Sequence, residues 1–122
     1  MVLITRLVKA GIQVGVTENV ASFDVLSATA QMIPSEHYLR EIELEVQKSG
    51  GWEKITVWFV SAHVESYTSV RGLITLVNAL APLHSKEVQL FEDNLSKATL
   101  AIIPLEPDYF SEPNISLAKK VS

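Results

Sequence analysis

The chain has no cysteine, which removes disulfide scaffolds, thiolate metal sites and cysteine nucleophiles from consideration. It also lacks any concentration of positive charge: ten Lys and Arg stand against fourteen Asp and Glu, for a net charge of −4. A protein that grips nucleic acid alone carries a basic stripe, because phosphate neutralisation supplies most of the affinity. The basic residues here are scattered, so direct nucleic-acid binding is not expected. No stretch approaches the ~18 uninterrupted apolar residues of a membrane span. Met1 to Arg6 does not open a charged region followed by a long apolar run, so no secretory leader is expected. The expected location is cytoplasmic, with no membrane partner.

What is present is apolar. Hydrophobic residues make up 48% of 122 positions and charged residues 20%, with a mean hydropathy of +0.23. That length fits one domain able to bury a core without staples. An apolar lean in a small domain points to surface buried against a partner.

The run Val2 to Val8 is β-rich, and Ile12 to Thr17 alternates with period two, as a strand with one buried face does. Phe23 to Ala30 reads as a third strand, completing an antiparallel meander. Pro34-Ser35-Glu36 resembles a helix start, with Ser35 as the candidate N-cap. Leu39, Ile42 and Val46 follow at helical spacing, and Gly50-Gly51 can end the element, giving a helix over 36–49. Ile42 to Gln47 also alternates, so a hairpin turning at Ser49-Gly50-Gly51 competes with that helix. The good helix formers and the local cap signal favour the helix.

Ile55 to Val60 is nearly continuous apolar sequence, which suits a central strand covered on both faces. Ser69 is placed to cap a second helix through Ala81, stopped by Pro82. Its apolar positions, Val70, Leu73, Ile74, Leu76, Val77 and Leu80, form a band too wide for a helix resting on a sheet alone. One side can face the sheet; the other calls for a partner. Glu87 to Phe91 reads as a strand, and Leu95 to Ile103 as either a short helix or a strand. Pro104, Pro107 and Pro113 among polar residues suggest an extended tail. The expected organisation is one lobe over 1–104 and a tail over 105–122.

This order, an antiparallel meander followed by parallel strands with two packed helices, is that of one α/β lobe of the actin-like, ribonuclease-H-like fold. The stretch Ser35-Glu36-His37-Tyr38-Leu39-Arg40-Glu41-Ile42 resembles the first helix of the TsaB (YeaZ) family. Ser66-Tyr67-Thr68-Ser69-Val70-Arg71-Gly72-Leu73, continuing to Asn78-Ala79-Leu80-Ala81, resembles the second helix of that family and its lead-in. Glu112-Pro113-Asn114-Ile115-Ser116-Leu117, followed by Lys119-Lys120, is similar to the tail that closes many of its chains. The resemblance spans residues 1–92 and 104–120, and the family's C-terminal lobe is largely missing between Phe91 and the tail.

The resemblance implies a non-catalytic subunit without a cofactor. It would pair through its first two helices with a second copy, or with a TsaD-like catalytic subunit making threonylcarbamoyladenosine at position 37 of tRNA. The implied contact residues are Leu39, Ile42, Val46, Val70, Arg71, Leu73, Ile74, Val77 and Leu80, with Arg71 able to pair with Glu43 or Glu45 across the interface. A rival reading of the helix positions is ordinary core.

The sequence departs from the family where phosphate would bind. His63-Val64-Glu65 replaces a glycine-rich lead-in, Ser69 replaces a glycine, and Thr5 and Arg6 lie where an acidic residue would position metal. ATP hydrolysis is therefore not expected. His63-Val64-Glu65 lacks the cysteine ligands that zinc deaminase chemistry needs. His37, His63 and His84 have no metal-ligand spacing. Ser66 and Ser69 lack a nucleophile elbow and read as helix-start residues. Two other functions stand beside the leading one: a diverged interaction module unrelated to tRNA modification, and a small metal-dependent enzyme using Asp24, Glu53 and Glu65.

Overall fold

The fold was obtained as a computed structural model, which describes residues 1–8, 11–18, 33–61, 67–92 and 95–105. Along the chain run β1 (Val2–Val8), β2 (Gly11–Thr17), α1 (Tyr38–Lys48), β3 (Val57–Ser61), α2 (Tyr67–Leu83), β4 (Glu87–Leu90) and β5 (Thr99–Leu100). The strands form one mixed sheet in the order β2-β1-β3-β4-β5. β1 pairs antiparallel with β2, β1–β3 and β3–β4 are parallel, and β5 returns antiparallel to β4. The protein is therefore α/β. The expected third strand (23–30), the tail from residue 106 and the segment carrying His63, Glu65 and Ser66 lie outside the described residues.

Alternation along the strands divides the core in two. Leu3 and Leu7 of β1, Trp58 and Val60 of β3 and Val88 of β4 share one buried cluster with Ile42 and Val46 of α1 and with Leu73 and Val77 of α2. Both helices thus cover one face of the sheet. On the other face Ile4, Phe59 and Phe91 form a smaller cluster, lined by Leu95 and Ala98. β3 is the middle strand and buries Trp58 and Phe59 on opposite faces, which is why its sequence does not alternate.

Residues 40–51 form a helix and its stop, not a hairpin. Gly51 N–H donates to Val46 C=O at 2.9 Å and Gly50 N–H to Gln47 C=O at 3.2 Å, the reciprocal bonds of a Schellman ending. Both glycines have left-handed φ, +107° and +97°, where a Cβ would strain the chain. The N-terminal expectation is corrected. A 3-10 turn, Ser35–His37, precedes α1, and neither element has a side-chain cap bond.

α2 is longer than its sequence suggests at both ends, starting at Tyr67 and passing through Pro82 to Leu83. Pro82 is tolerated because it lies in the last turn, where its ring displaces only the Asn78 carbonyl. The stop is Ser85, whose φ of 56° is left-handed. Lys86 N–H then donates to Ala81 C=O at 2.8 Å and Ser85 N–H to Pro82 C=O at 3.2 Å, a second Schellman ending without glycine. The segment Leu95 to Ile103 resolves its ambiguity by being both, a 3-10 turn over Leu95–Lys97 and then β5.

A buried hydrogen bond joins the central strands: Trp58 Nε1–H donates to Thr5 Oγ1 at 3.0 Å, with Thr5 fully buried. Trp52 packs on Trp58 with ring centroids 5.6 Å apart and stacks on His84 at 4.4 Å. The Trp52 indole N–H is shared by the Glu43 carboxylate oxygens at 3.2 and 3.4 Å. At the far edge, the Asn78 side chain clasps the Leu105 backbone, donating to its C=O at 2.9 Å and accepting from its N–H at 2.6 Å. Leu105, the first residue of the expected tail, is buried. Among the described residues, no helix is long and apolar enough to cross a membrane.

Trp58→Phe orphans the Thr5 hydroxyl and should cost about 2 kcal/mol in urea unfolding, and adding Thr5→Val should recover about 1 kcal/mol of that loss. Ser85→Gly relieves the left-handed residue and should raise stability by about 1 kcal/mol, seen as a higher melting midpoint.

Candidate functional site

Seven of the nine residues expected at an interface already have neighbours inside the chain. Ile42, Val46, Val70, Leu73, Ile74, Val77 and Leu80 are at most 8% exposed and belong to the main core. The expectation that the breadth of the α2 apolar band requires a second protein is thereby corrected. The sheet covers one side of it. The segment Ala101 to Leu105, held to Asn78, contributes to the same cluster and supplies the further cover. A charge placed at any of these seven positions would be buried in the chain's own core.

Leu39 and Arg71 are different. Leu39 is 42% exposed and Arg71 is exposed, and both line a groove of about 420 Å³ between the start of α1 and the outer face of α2. Ser35, Glu36 and Leu39 form one wall; Thr68, Arg71, Thr75 and Leu76 form the other. Glu36 and Arg71 set opposite charges on the two walls, hydroxyls come from Ser35, Thr68 and Thr75, and Leu39 and Leu76 provide apolar floor. The carboxylates expected to meet Arg71 have partners elsewhere, Glu43 on Trp52 and Glu45 on Lys48 at 3.4 Å.

Gly72 sets how closely the two walls approach. A Cβ at this position would lie 2.7 Å from the Ser35 Cβ, well inside van der Waals contact. An isolated glycine inside a helix costs about 1 kcal/mol against alanine. That local penalty is the sequence signal that a neighbour passes close by. The Glu43–Trp52–His84 arrangement left no such signal, because its members come from separate elements.

The groove combines polar and apolar contacts. It contains hydroxyls and one charge of each sign, with no histidine or paired carboxylate in its lining. Such a mixed surface suits a partner side chain or helix laid across it. The other candidates are dispersed. His37 is exposed, His84 is stacked on Trp52, and His63 lies outside the described residues. Glu53 is exposed on a 3-10 turn, while Asp24 and Glu65 lie outside the described residues. Among the described residues no three His, Asp or Glu gather as metal ligands. Thr5 faces the helix-side core, and the Arg6 guanidinium donates to Gln13 Oε1 at 3.4 Å.

Comparison with protein-family models, curated proteins and solved structures finds no match for this chain.

Gly72→Ala should destabilise the chain. Overpacking costs typically 1–3 kcal/mol against about 1 kcal/mol of helix propensity gained, so the expected net loss is about 1 kcal/mol. Removing the opposing Cβ with Ser35→Gly should make the same Gly72→Ala change neutral or stabilising in a double-mutant cycle of chemical unfolding.

Proposed function

We propose that the chain is a non-catalytic subunit of the TsaB kind. It would dock through the groove between α1 and α2 onto a TsaD-like catalytic protein and support threonylcarbamoyladenosine formation at position 37 of tRNA. The observation that carries this reading is positional: the two stretches resembling that family, Ser35 to Ile42 and Ser66 to Ala81, contribute the two walls of the groove. The element order also supports it. An antiparallel β1–β2 pair, then α1, β3, α2 and β4 with parallel pairing, is the order expected of one actin-like, ribonuclease-H-like lobe.

The burial of the helix cores refines the contact. The docking surface is the outer stripe of the helices, with Leu39, Leu76 and Thr75 as the apolar and small contacts. Arg71 and Glu36 set the orientation. Opposite charges on facing walls favour a partner helix with a matching pair, and they guide register more than they add affinity. Ile42, Val46, Val70, Leu73, Ile74, Val77 and Leu80 hold the stripe in place from beneath.

Titration calorimetry of the full chain against a purified TsaD-like subunit from the same host tests the proposal. Wild-type chain should bind. Leu39→Glu and Arg71→Glu should each weaken binding about tenfold or more, corresponding to ~1.4 kcal/mol. Absence of binding by the wild-type chain throughout the micromolar range would overturn the reading.

A further inference from the structure

The tail from residue 106 starts at a fixed point on α2. Both backbone groups of Leu105 are bonded to the Asn78 side chain, at 2.9 and 2.6 Å, and Leu105 itself is buried. Arg71, Thr75 and Asn78 follow one another at helical spacing along one side of α2. Arg71 and Thr75 belong to the α2 wall of the groove. Residue 106 therefore follows about one helical turn from that wall and two turns, about 10 Å, from Arg71.

The sequence of residues 106–122 matches that wall. Three residues of extended chain cover about 10 Å, which brings Asp108 level with Arg71. From Glu106 to Glu112 there are three carboxylates and no cation. Pro107 and Pro113 favour extended backbone at the residues before them, Glu106 and Glu112. Tyr109 and Phe110 follow Asp108 directly. The apolar part of the groove, exposed Leu39 with half-buried Leu76, offers such rings a surface to cover. Glu36 stands on the opposite wall, which directs an acidic segment along α2 and away from α1.

We propose that the groove is occupied by this chain's own tail, with Asp108 paired to Arg71 and the rings of Tyr109 and Phe110 over Leu39 and Leu76. Two arguments select the tail over another molecule. It is tethered beside the groove, which gives it an effective concentration in the millimolar range without any further association step. Its charge order is also complementary: the carboxylates come first, beside the Arg71 wall, and the cations Lys119 and Lys120 come only later. The tail and a partner protein then compete for one surface, which makes the contact autoinhibitory. That competition rests on the function proposed above; the docking of the tail does not.

The test uses the full chain, whose lack of native cysteine allows one spin label to be attached through Ser111→Cys. In amide NMR spectra the label should broaden the signals of Leu39, Thr75 and Leu76 beyond detection. Arg71→Glu or Asp108→Arg should each restore those signals. The two changes together should broaden them again, because the pair re-forms with its charges exchanged. A mixture of spin-labelled chain and isotope-enriched chain without the label should show no broadening. In calorimetry against the TsaD-like subunit, Asp108→Arg should tighten binding about threefold, since no tail has to be displaced. The docking is overturned by groove signals that stay sharp, by broadening indifferent to both charge reversals, or by broadening in the mixture, which would assign the contact to a second copy. Unchanged affinity of the Asp108→Arg chain for a subunit that binds wild-type chain overturns the competition. Failure of that subunit to bind either chain overturns the function proposed above and leaves the docking to be decided by the spectra.

Discussion

The indole N–H of Trp58 and the hydroxyl of Thr5 meet inside the main core, and much of the architecture depends on that pairing. A tryptophan at the centre of a sheet supplies a large apolar surface, yet its N–H has to find an acceptor there. Thr5, on the neighbouring strand and two residues along in the parallel register, supplies it at 3.0 Å. The bond sets the position of the ring, and the ring is the floor on which Trp52 rests. Trp52 then brings together the end of α2 through His84 and the side of α1 through Glu43. One satisfied polar group thereby orients both helices on the same face.

A second constraint comes from the other end of the sheet. The apolar breadth of α2 finds cover within its own chain because Asn78 holds the backbone at Leu105. An asparagine among leucines and valines reads as a break in a hydrophobic stripe. In space it is the attachment that lets Ala101, Ile103 and Leu105 reach the core. What remains of α2 for contact with another molecule is narrow, small-residued and flanked by Arg71. The aliphatic residues of α2 thus maintain the fold, and its exposed stripe is polar and small-residued.

The strands were legible in the sequence where a period is visible. β2 follows from alternation, β1 from a β-rich apolar run, and β3 from an uninterrupted apolar run that suits a middle strand. The end of α1 was legible because two adjacent glycines have a specific backbone use. The end of α2 is not legible at Pro82, because the true stop is a serine in a left-handed conformation, which no residue-type rule marks strongly. The groove was legible only in part. Leu39 and Arg71 lie on it, but the other seven apolar helix positions are interior. Width of an apolar band cannot distinguish a partner protein from a returning segment of the same chain. That distinction depends on Asn78 and Leu105, which are twenty-seven residues apart.

The aromatic corner has a spectroscopic consequence. The chain has two tryptophans, and both belong to this corner, 5.6 Å apart, with an imidazole stacked on one of them. Intrinsic emission therefore reports the docking of a turn, a helix end and the middle strand at a single place. Neither indole lines the groove. Tryptophan fluorescence is thus a built-in gauge of whether the fold is intact, separate from whatever binds at the groove.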